Sequence, residues 1–367
     1  MKTINILIIG IGHHARRIYV PVLHKMSLNE PLKIFGLDIV SSRKIVESYL
    51  QDKNINMPTL FIEPSNKMSL HTKKILNKFV IANNITGVII STSPSFHKIY
   101  ANWALDKSLH ILMDKPITAN EQMANEESKA TALLSDYSKL VNKYETLFST
   151  KKTVFMINTQ RRFEIGFQFV FSLIREVSNK FNIPVTSIQA THSDGVWIFP
   201  DEMVEQQCHP FFDGYGKCSH SGFHLFDIVW QFYKNGLIPK KYADSAEIYS
   251  SFLNPGGVLK QFDQSDYKKV FGHRYYDRPR RSTHDLAEIF NGYGEIVAFT
   301  VIRLLNNGDN VCNISLNLLH NSFSRRSWIT PAKDLYKGNG RVKHQYYFIQ
   351  QGPFQCIQIH NYQSKST

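Results

Sequence analysis

The stretch HPFFDGYGKCSHSGFHLFDIVWQF, residues 209–232, carries His220 and His224 four positions apart in a segment of helical pattern. Side chains at that spacing are neighbours on a helix, so the two imidazoles can act on one group. An imidazole titrates near neutrality and can take or return a proton there. Two other readings stand beside acid–base work. Cys208, His209, Cys218, His220 and His224 are all residue types that bind zinc. The cysteines lack C-x-x-C spacing, however, and the expectation is that no metal is held. Alternatively, the pair are interior histidines with satisfied hydrogen bonds.

A second constellation lies at the N-terminus. IIGIGHHA follows an apolar run and opens a helical pattern, giving G-x-G-x-x-A with Gly10, Gly12 and Ala15 in the small positions. Gly10 suits a tight turn, and Gly12 lets a pyrophosphate approach backbone N–H groups at a helix start. Ala15 lets that helix pack close to the strand. Asp38 ends the next apolar run, about 26 residues after Gly12, where a carboxylate can accept from ribose hydroxyls. Asp38 would also repel a 2′-phosphate, so NAD is preferred over NADP, although Arg43 lies close enough in sequence to blur the choice. Gly10, Gly12, His13, Ala15 and Asp38 are the cofactor-binding candidates of this turn.

The elements that must position these groups follow from the apolar pattern. INILII (4–9), LKIFGLDI ending at Asp38, ITGVIIST (85–92) and LHILMD (109–114) read as strands buried on both faces. Helical patterns separate them, including one through RRIYVPVLHKM and one in SFHKIYANWALDKS. Such alternation predicts a doubly wound parallel sheet. A polar helix is expected over about 120–149, and TVFMINTQ is a further strand. Beyond Arg161 one helix, IGFQFVFSLIREV, leads to closely spaced strands in VTSIQATHS, EIVAFTVIRLL, VCNISLNLL and YYFIQQ. They suggest a large, mainly antiparallel open sheet. The expected division is a dinucleotide-binding domain over 1–150 and a second α/β domain over 151–367.

Bulk properties narrow the function classes. Four cysteines, Cys208, Cys218, Cys312 and Cys356, in 367 residues are too sparse for a disulfide framework. The first ten residues end without a small-residue cleavage site, so a strand is expected there and not a signal peptide. No apolar run reaches the roughly 18 residues of a membrane span. A cytoplasmic protein without a membrane partner is the expectation. The net charge of +13 is spread over both halves with no basic tail. That pattern favours a solvated surface over a nucleic-acid interface.

Residues 88–118, VIISTSPSFHKIYANWALDKSLHILMDKPIT, resemble the Gfo/Idh/MocA oxidoreductases. That family has T-P-x-x-x-H after one strand and Glu-Lys-Pro after the next. Ser93, Pro94 and His97 resemble the first element with one residue fewer between Pro and His, and Asp114, Lys115 and Pro116 fit the second with Asp for Glu. The resemblance resumes at INTQRRF (157–163) and in the histidine stretch. It implies a Rossmann domain followed by an α/β domain, with Ser93, His97 and Lys115 at the cofactor and Lys115 directed at the substrate. It also places Arg161 and Arg162 where a substrate contact is possible; an ion pair is the competing role. Many dehydrogenases of the family carry D-x-G-x-H-x-x-D, in which the histidine is the general base. Here His224 matches that base, Gly222 and Asp227 match their counterparts, and His220 stands in place of the first Asp.

The resemblance therefore implies an NAD(P)-dependent oxidoreductase acting on a hydroxyl or carbonyl of a sugar-like compound, phosphorylated or nucleotide-linked forms included. Lys115 would polarise the reacting oxygen and His224 would transfer the proton. His220 would complete the substrate site, where an imidazole suits an anionic group. An NAD-assisted glycosidase or epimerase, and a non-enzymatic cofactor-sensing regulator, are the alternatives on the same fold. A homo-oligomer through the C-terminal sheet is expected. The arginine- and aromatic-rich segments 273–285 and 321–328 are further candidates for holding a phosphate or a ring.

Overall fold

The computed structural model describes residues 3–65, 67–194, 199–205, 210–272, 281–320 and 343–363. The chain divides into two compact units. The first comprises residues 1–120 and 128–158, and the second comprises 121–127 and 159–367.

In the first unit six parallel strands run in the order β3-β2-β1-β4-β5-β6. They are β1 (Ile4–Ile9), β2 (Leu32–Ile39), β3 (Thr59–Ile62), β4 (Gly87–Ile90), β5 (His110–Met113) and β6 (Phe155–Ile157). Leu7, Ile9, Leu37, Ile90 and Met113 enter one core, while Ile8, Ile34 and Ile89 enter another on the opposite face. Burial on both faces explains why these strands read as continuous apolar runs. The helices α1 (His13–Arg17), α2 (Tyr19–Ser27), α3 (Arg43–Asp52), α4 (Leu70–Ala82), α5 (Pro94–Asp106) and α6 (Glu127–Thr150) connect or flank them.

The single helix expected through RRIYVPVLHKM is interrupted at Ile18, between α1 and α2. Pro21 has no N–H for the Arg17 carbonyl and its ring crowds that carbonyl, so the regular ladder stops there. The polar helix starts at Glu127 and not near residue 120. Its first residues instead join the second unit, where the Gln122 N–H donates to the Asp213 carbonyl at 2.8 Å.

The second unit is built on a six-stranded sheet of order β12-β11-β7-β10-β9-β8. Its strands are β7 (Ser187–Ser193), β8 (Ser245–Leu253), β9 (Val297–Asn306), β10 (Asp309–Leu319), β11 (Lys343–Gln351) and β12 (Gln355–Gln363). All pairings are antiparallel except β7 with β10, which makes the sheet mixed. One face packs Ile188, Ala190, Ala298, Ile314, Leu316 and Tyr347 against α7 (Ile165–Phe181) and α9 (Phe223–Asn235). Phe232 is fully buried there, with its ring 5.5 Å from Tyr347 and 5.7 Å from Phe171. Period-two alternation turns Tyr249, Phe299 and Val301 to the other face, where all three are exposed.

Candidate functional site

The glycine turn sits at the C-terminal end of β1. Gly10 has φ of +85°, a left-handed conformation that glycine adopts without a Cβ penalty. A Cβ at this position would lie 2.8 Å from the Ser91 carbonyl oxygen. Gly12 caps α1, and a Cβ there would meet nothing within 4 Å. Open space therefore faces the backbone at the helix start. Ala15 is fully buried, as close packing of α1 on β1 requires, and His13 is exposed beside the turn.

Asp38 closes the turn from the end of β2. One carboxylate oxygen accepts from the Ile11 N–H at 2.7 Å, and the other accepts from the Ile39 N–H at 2.7 Å. Each oxygen keeps a lone pair for a further donor. The residues present thus fit an adenine dinucleotide: a glycine turn with room beside it, and a fixed acceptor at the next strand end.

Lys115 follows β5, is half-buried, and precedes a cis bond to Pro116. Its neighbour Asp114 is the centre of a polar cluster that the sequence reading did not anticipate. Tyr19 donates its hydroxyl to Asp114, Ser91 Oγ donates at 2.6 Å, and Asn158 Nδ2 donates to the Tyr19 oxygen at 2.8 Å. His14 Nε2 lies 3.7 Å from the same carboxylate. Burial, with the Asp114 charge adding to it, pushes the Tyr19 phenol far above its ordinary range. Tyr19 therefore acts here as a fixed donor. Asp114 is thereby held by residues of α1 and α2 and by the residues that directly follow β4 and β6, and fixes the backbone from which Lys115 departs.

Ser93 is the N-cap residue of α5, with no side-chain capping bond. His97 is buried beneath the loops, with Nδ1 2.7 Å from the Pro116 carbonyl and Nε2 3.0 Å from that of Thr92. Burial holds its imidazole below its usual pKa, although both carbonyls work against this. A neutral imidazole donates through one nitrogen only, so it braces one loop at a time. His97 thus sits between the loops that follow β4 and β5 and is hydrogen-bonded to one of them.

In the second unit, Cys218–Gly222 form a π-helical turn that runs directly into α9. His220 and His224 are half-buried on this segment. The His220 ring lies 6.4 Å from that of Phe211, and the His224 ring 6.2 Å from that of Phe223. Arg162 Nε donates to both oxygens of Asp227 at 2.9 Å, and this pairing raises the guanidinium pKa further. Arg162 thus has the ion-pair role, with the last Asp of the histidine motif as its partner. Arg161 is buried, and its Nη1 makes no hydrogen bond.

Behind the turn lies a network that no spacing in the sequence announces. Asp194, just past β7, is buried and accepts from Lys217 Nζ, Ser221 Oγ at 3.2 Å and His320 Nδ1 at 3.0 Å, and Lys343 Nζ lies 3.3 Å away. Burial alone would raise the Asp194 pKa. The ammonium groups of Lys217 and Lys343 overcome it and hold the carboxyl well below the ordinary range. His192, 3.1 Å from Lys217 Nζ, is kept neutral by burial and then by that same charge.

Cys208 and His209 lie outside the described residues. Among the described residues, no three His, Cys, Asp or Glu side chains are arranged to hold a metal ion. Residues 273–280 and 321–328 are also outside them. Arg281, at the edge of the first basic segment, pairs with Asp201 at 3.3 Å. No helix among the described residues is long and apolar enough to cross a membrane.

Comparison with known proteins fits this geometry. Residues 4–136 match the family model described as oxidoreductase family, NAD-binding Rossmann fold. No curated protein sequence matches the chain. Among solved structures, myo-inositol 2-dehydrogenase from Lactobacillus plantarum superposes with a TM-score of 0.57 at 11% identity, covering 98% of this chain and 76% of that one. A myo-inositol dehydrogenase from Lactobacillus casei in complex with NAD(H) and myo-inositol gives 0.55 at 14% identity, over 98% and 75%. The aldose-aldose oxidoreductase from Caulobacter crescentus gives 0.55 at 12% identity, over 98% and 83%. At such identities the likeness is one of fold, and it extends through both units. Residues 4–136 are thus similar to the NAD-binding Rossmann domain of the Gfo/Idh/MocA oxidoreductases.

Proposed function

We propose that the protein is an NAD(P)-dependent oxidoreductase that interconverts a hydroxyl and a carbonyl on a sugar-like small molecule, with NAD as the preferred cofactor. The observation that carries this reading is the Gly10–Gly12 turn closed by the Asp38–Ile11 hydrogen bond, within a matched NAD-binding domain. The inositol and aldose chemistry of its structural neighbours supports the substrate class.

In this reading the backbone N–H groups at the start of α1 take the pyrophosphate, and Asp38 accepts from the adenosine ribose. Its negative charge disfavours a 2′-phosphate. A bound nicotinamide would supply the hydride acceptor. The chain's own residues handle the oxygen and the proton. Lys115 Nζ hydrogen-bonds the reacting oxygen and stabilises negative charge as it develops. The imidazole of His224 accepts the hydroxyl proton and returns it in the reverse direction. His220 binds the substrate alongside, and its ability to donate suits an anionic or carbonyl group better than a carboxylate would. We further propose that copies of the chain associate through the exposed Tyr249–Phe299–Val301 face of the second sheet.

The test is to incubate the protein with NAD and a panel of polyols and aldoses headed by myo-inositol, and to follow NADH. Turnover on any of them supports the reading. NAD binding with no turnover on the panel, in either direction, would favour the regulatory alternative.

A further inference from the structure

We infer that the buried Lys217–Asp194 ion pair is a positioning device for His220 and His224, acting by holding the chain in the π-helical turn that separates them from the interior. The inference rests on the reading of His224 as the proton acceptor.

In an unbroken α-helix, Lys217, His220, Ser221 and His224 would form one stripe, because positions i, i+3, i+4 and i+7 share a face. All four would then be drawn toward the same surroundings. The structure divides them instead. Lys217 and Ser221 are buried, whereas His220 and His224 are only half-buried. The π-turn over Cys218–Gly222 inserts one residue into the helical spacing. One residue corresponds to about 100° of rotation about the axis, enough to take the histidines off the buried stripe.

A π-turn is rare, appears mostly as a single turn inside an α-helix, and is frequent at functional sites. Something must hold this one, and the structure shows what does. Asp194 accepts from Lys217, the residue that caps the turn, and from Ser221 Oγ at 3.2 Å, its fourth residue. One carboxylate thus grips the turn on both sides of His220. Glu295 fixes the entry: its carbonyl accepts from the Lys217 N–H at 2.7 Å and its carboxylate from the Cys218 N–H at 2.8 Å. Gly222 lets the exit pack tightly, since a Cβ there would lie 2.8 Å from Leu318 Cδ1 and 3.0 Å from the Lys217 carbonyl oxygen. Asp194 itself is immobilised by Lys343 and His320 from two further segments. Lys217 and Asp194, both buried, are therefore assigned as positioning residues.

The test compares wild type with Lys217→Met, in which Asp194 keeps Lys343 as its partner. The double variant Asp194→Asn/Lys217→Met removes both charges and serves if the single variant does not fold. Crystal structures and ring ¹⁵N spectra of labelled histidine are the readouts, with NAD affinity by calorimetry as the control. The expected result is a folded protein with NAD affinity within about twofold of wild type. Its turn relaxes to regular α-helix, and the His220 and His224 rings are displaced along with their resonances. A folded variant that keeps the π-turn, with both rings where wild type has them, would overturn the inference. These readouts need no substrate. A His224→Ala protein with full turnover would sink the functional reading and leave the positional result standing.

Discussion

Asp38 Oδ2 accepts from the Ile11 N–H at 2.7 Å, so the carboxylate that would hold the ribose also ties the glycine turn to β2. Asp38→Ala should therefore weaken NAD binding at least tenfold by calorimetry. NADP should suffer less, because the loss of an acceptor is offset by relief of repulsion at the 2′-phosphate. Equal weakening of both dinucleotides would remove Asp38 as the discriminating residue.

Gly10 offers a sharper local test. Its φ of +85° and the Ser91 carbonyl 2.8 Å from a would-be Cβ make any side chain costly. Gly10→Ala should destabilise the protein by about 1–3 kcal/mol. It should also abolish detectable NAD binding, because the turn must open to relieve the contact. Thermal melts and calorimetry read the two effects separately.

These two residues also show how much the sequence carried. The first unit was legible because strands buried on both faces leave continuous apolar runs, and a glycine turn between strand and helix leaves fixed punctuation. His224 was legible as a motif position. The Asp194–Lys217 network was not, because Asp194 follows one strand and Lys217 lies in a glycine-flanked turn, with no periodicity joining them. A charged residue beside Gly214 and Gly216 reads as solvated loop until burial is known. The Asp114 cluster escaped for the same reason: Tyr19, Ser91 and Asn158 lie on three separate segments that only the fold converges. Arg162 was open between substrate contact and ion pair, and only the geometry of Asp227 gives it a partner.

The buried network makes the protein acid-sensitive. His192 has its folded pKa held well below 6.5, so the unfolded chain binds the proton more readily. Its contribution to stability is present above about pH 6.5 and is lost as pH falls below it. Asp194, also depressed, contributes above its unfolded value of 3.8 and loses that contribution as pH falls through its lower folded value. Urea denaturation should thus show stability declining from about pH 7 to about pH 5. His192→Gln should flatten that decline; an unchanged slope would contradict the assignment.

The exposed face of the second sheet predicts the assembly state. Light scattering should find a dimer or larger species. Phe299→Asp, which puts a charge on that exposed face, should shift it toward monomer without lowering the melting temperature by more than a few degrees. A wild-type monomer at working concentration would remove this surface from the account.

The central claim is that His224 moves the proton in an NAD-linked oxidation, and one comparison tests it most directly. With the best polyol or aldose from the panel, His224→Ala should turn over roughly 10²–10⁴-fold more slowly than wild type. Its calorimetric NAD affinity should be unchanged, since the glycine turn and Asp38 are intact. His220→Ala should instead raise KM more than it lowers kcat, as expected when binding is lost from ground and transition states alike. Near-wild-type turnover in folded His224→Ala would contradict the account.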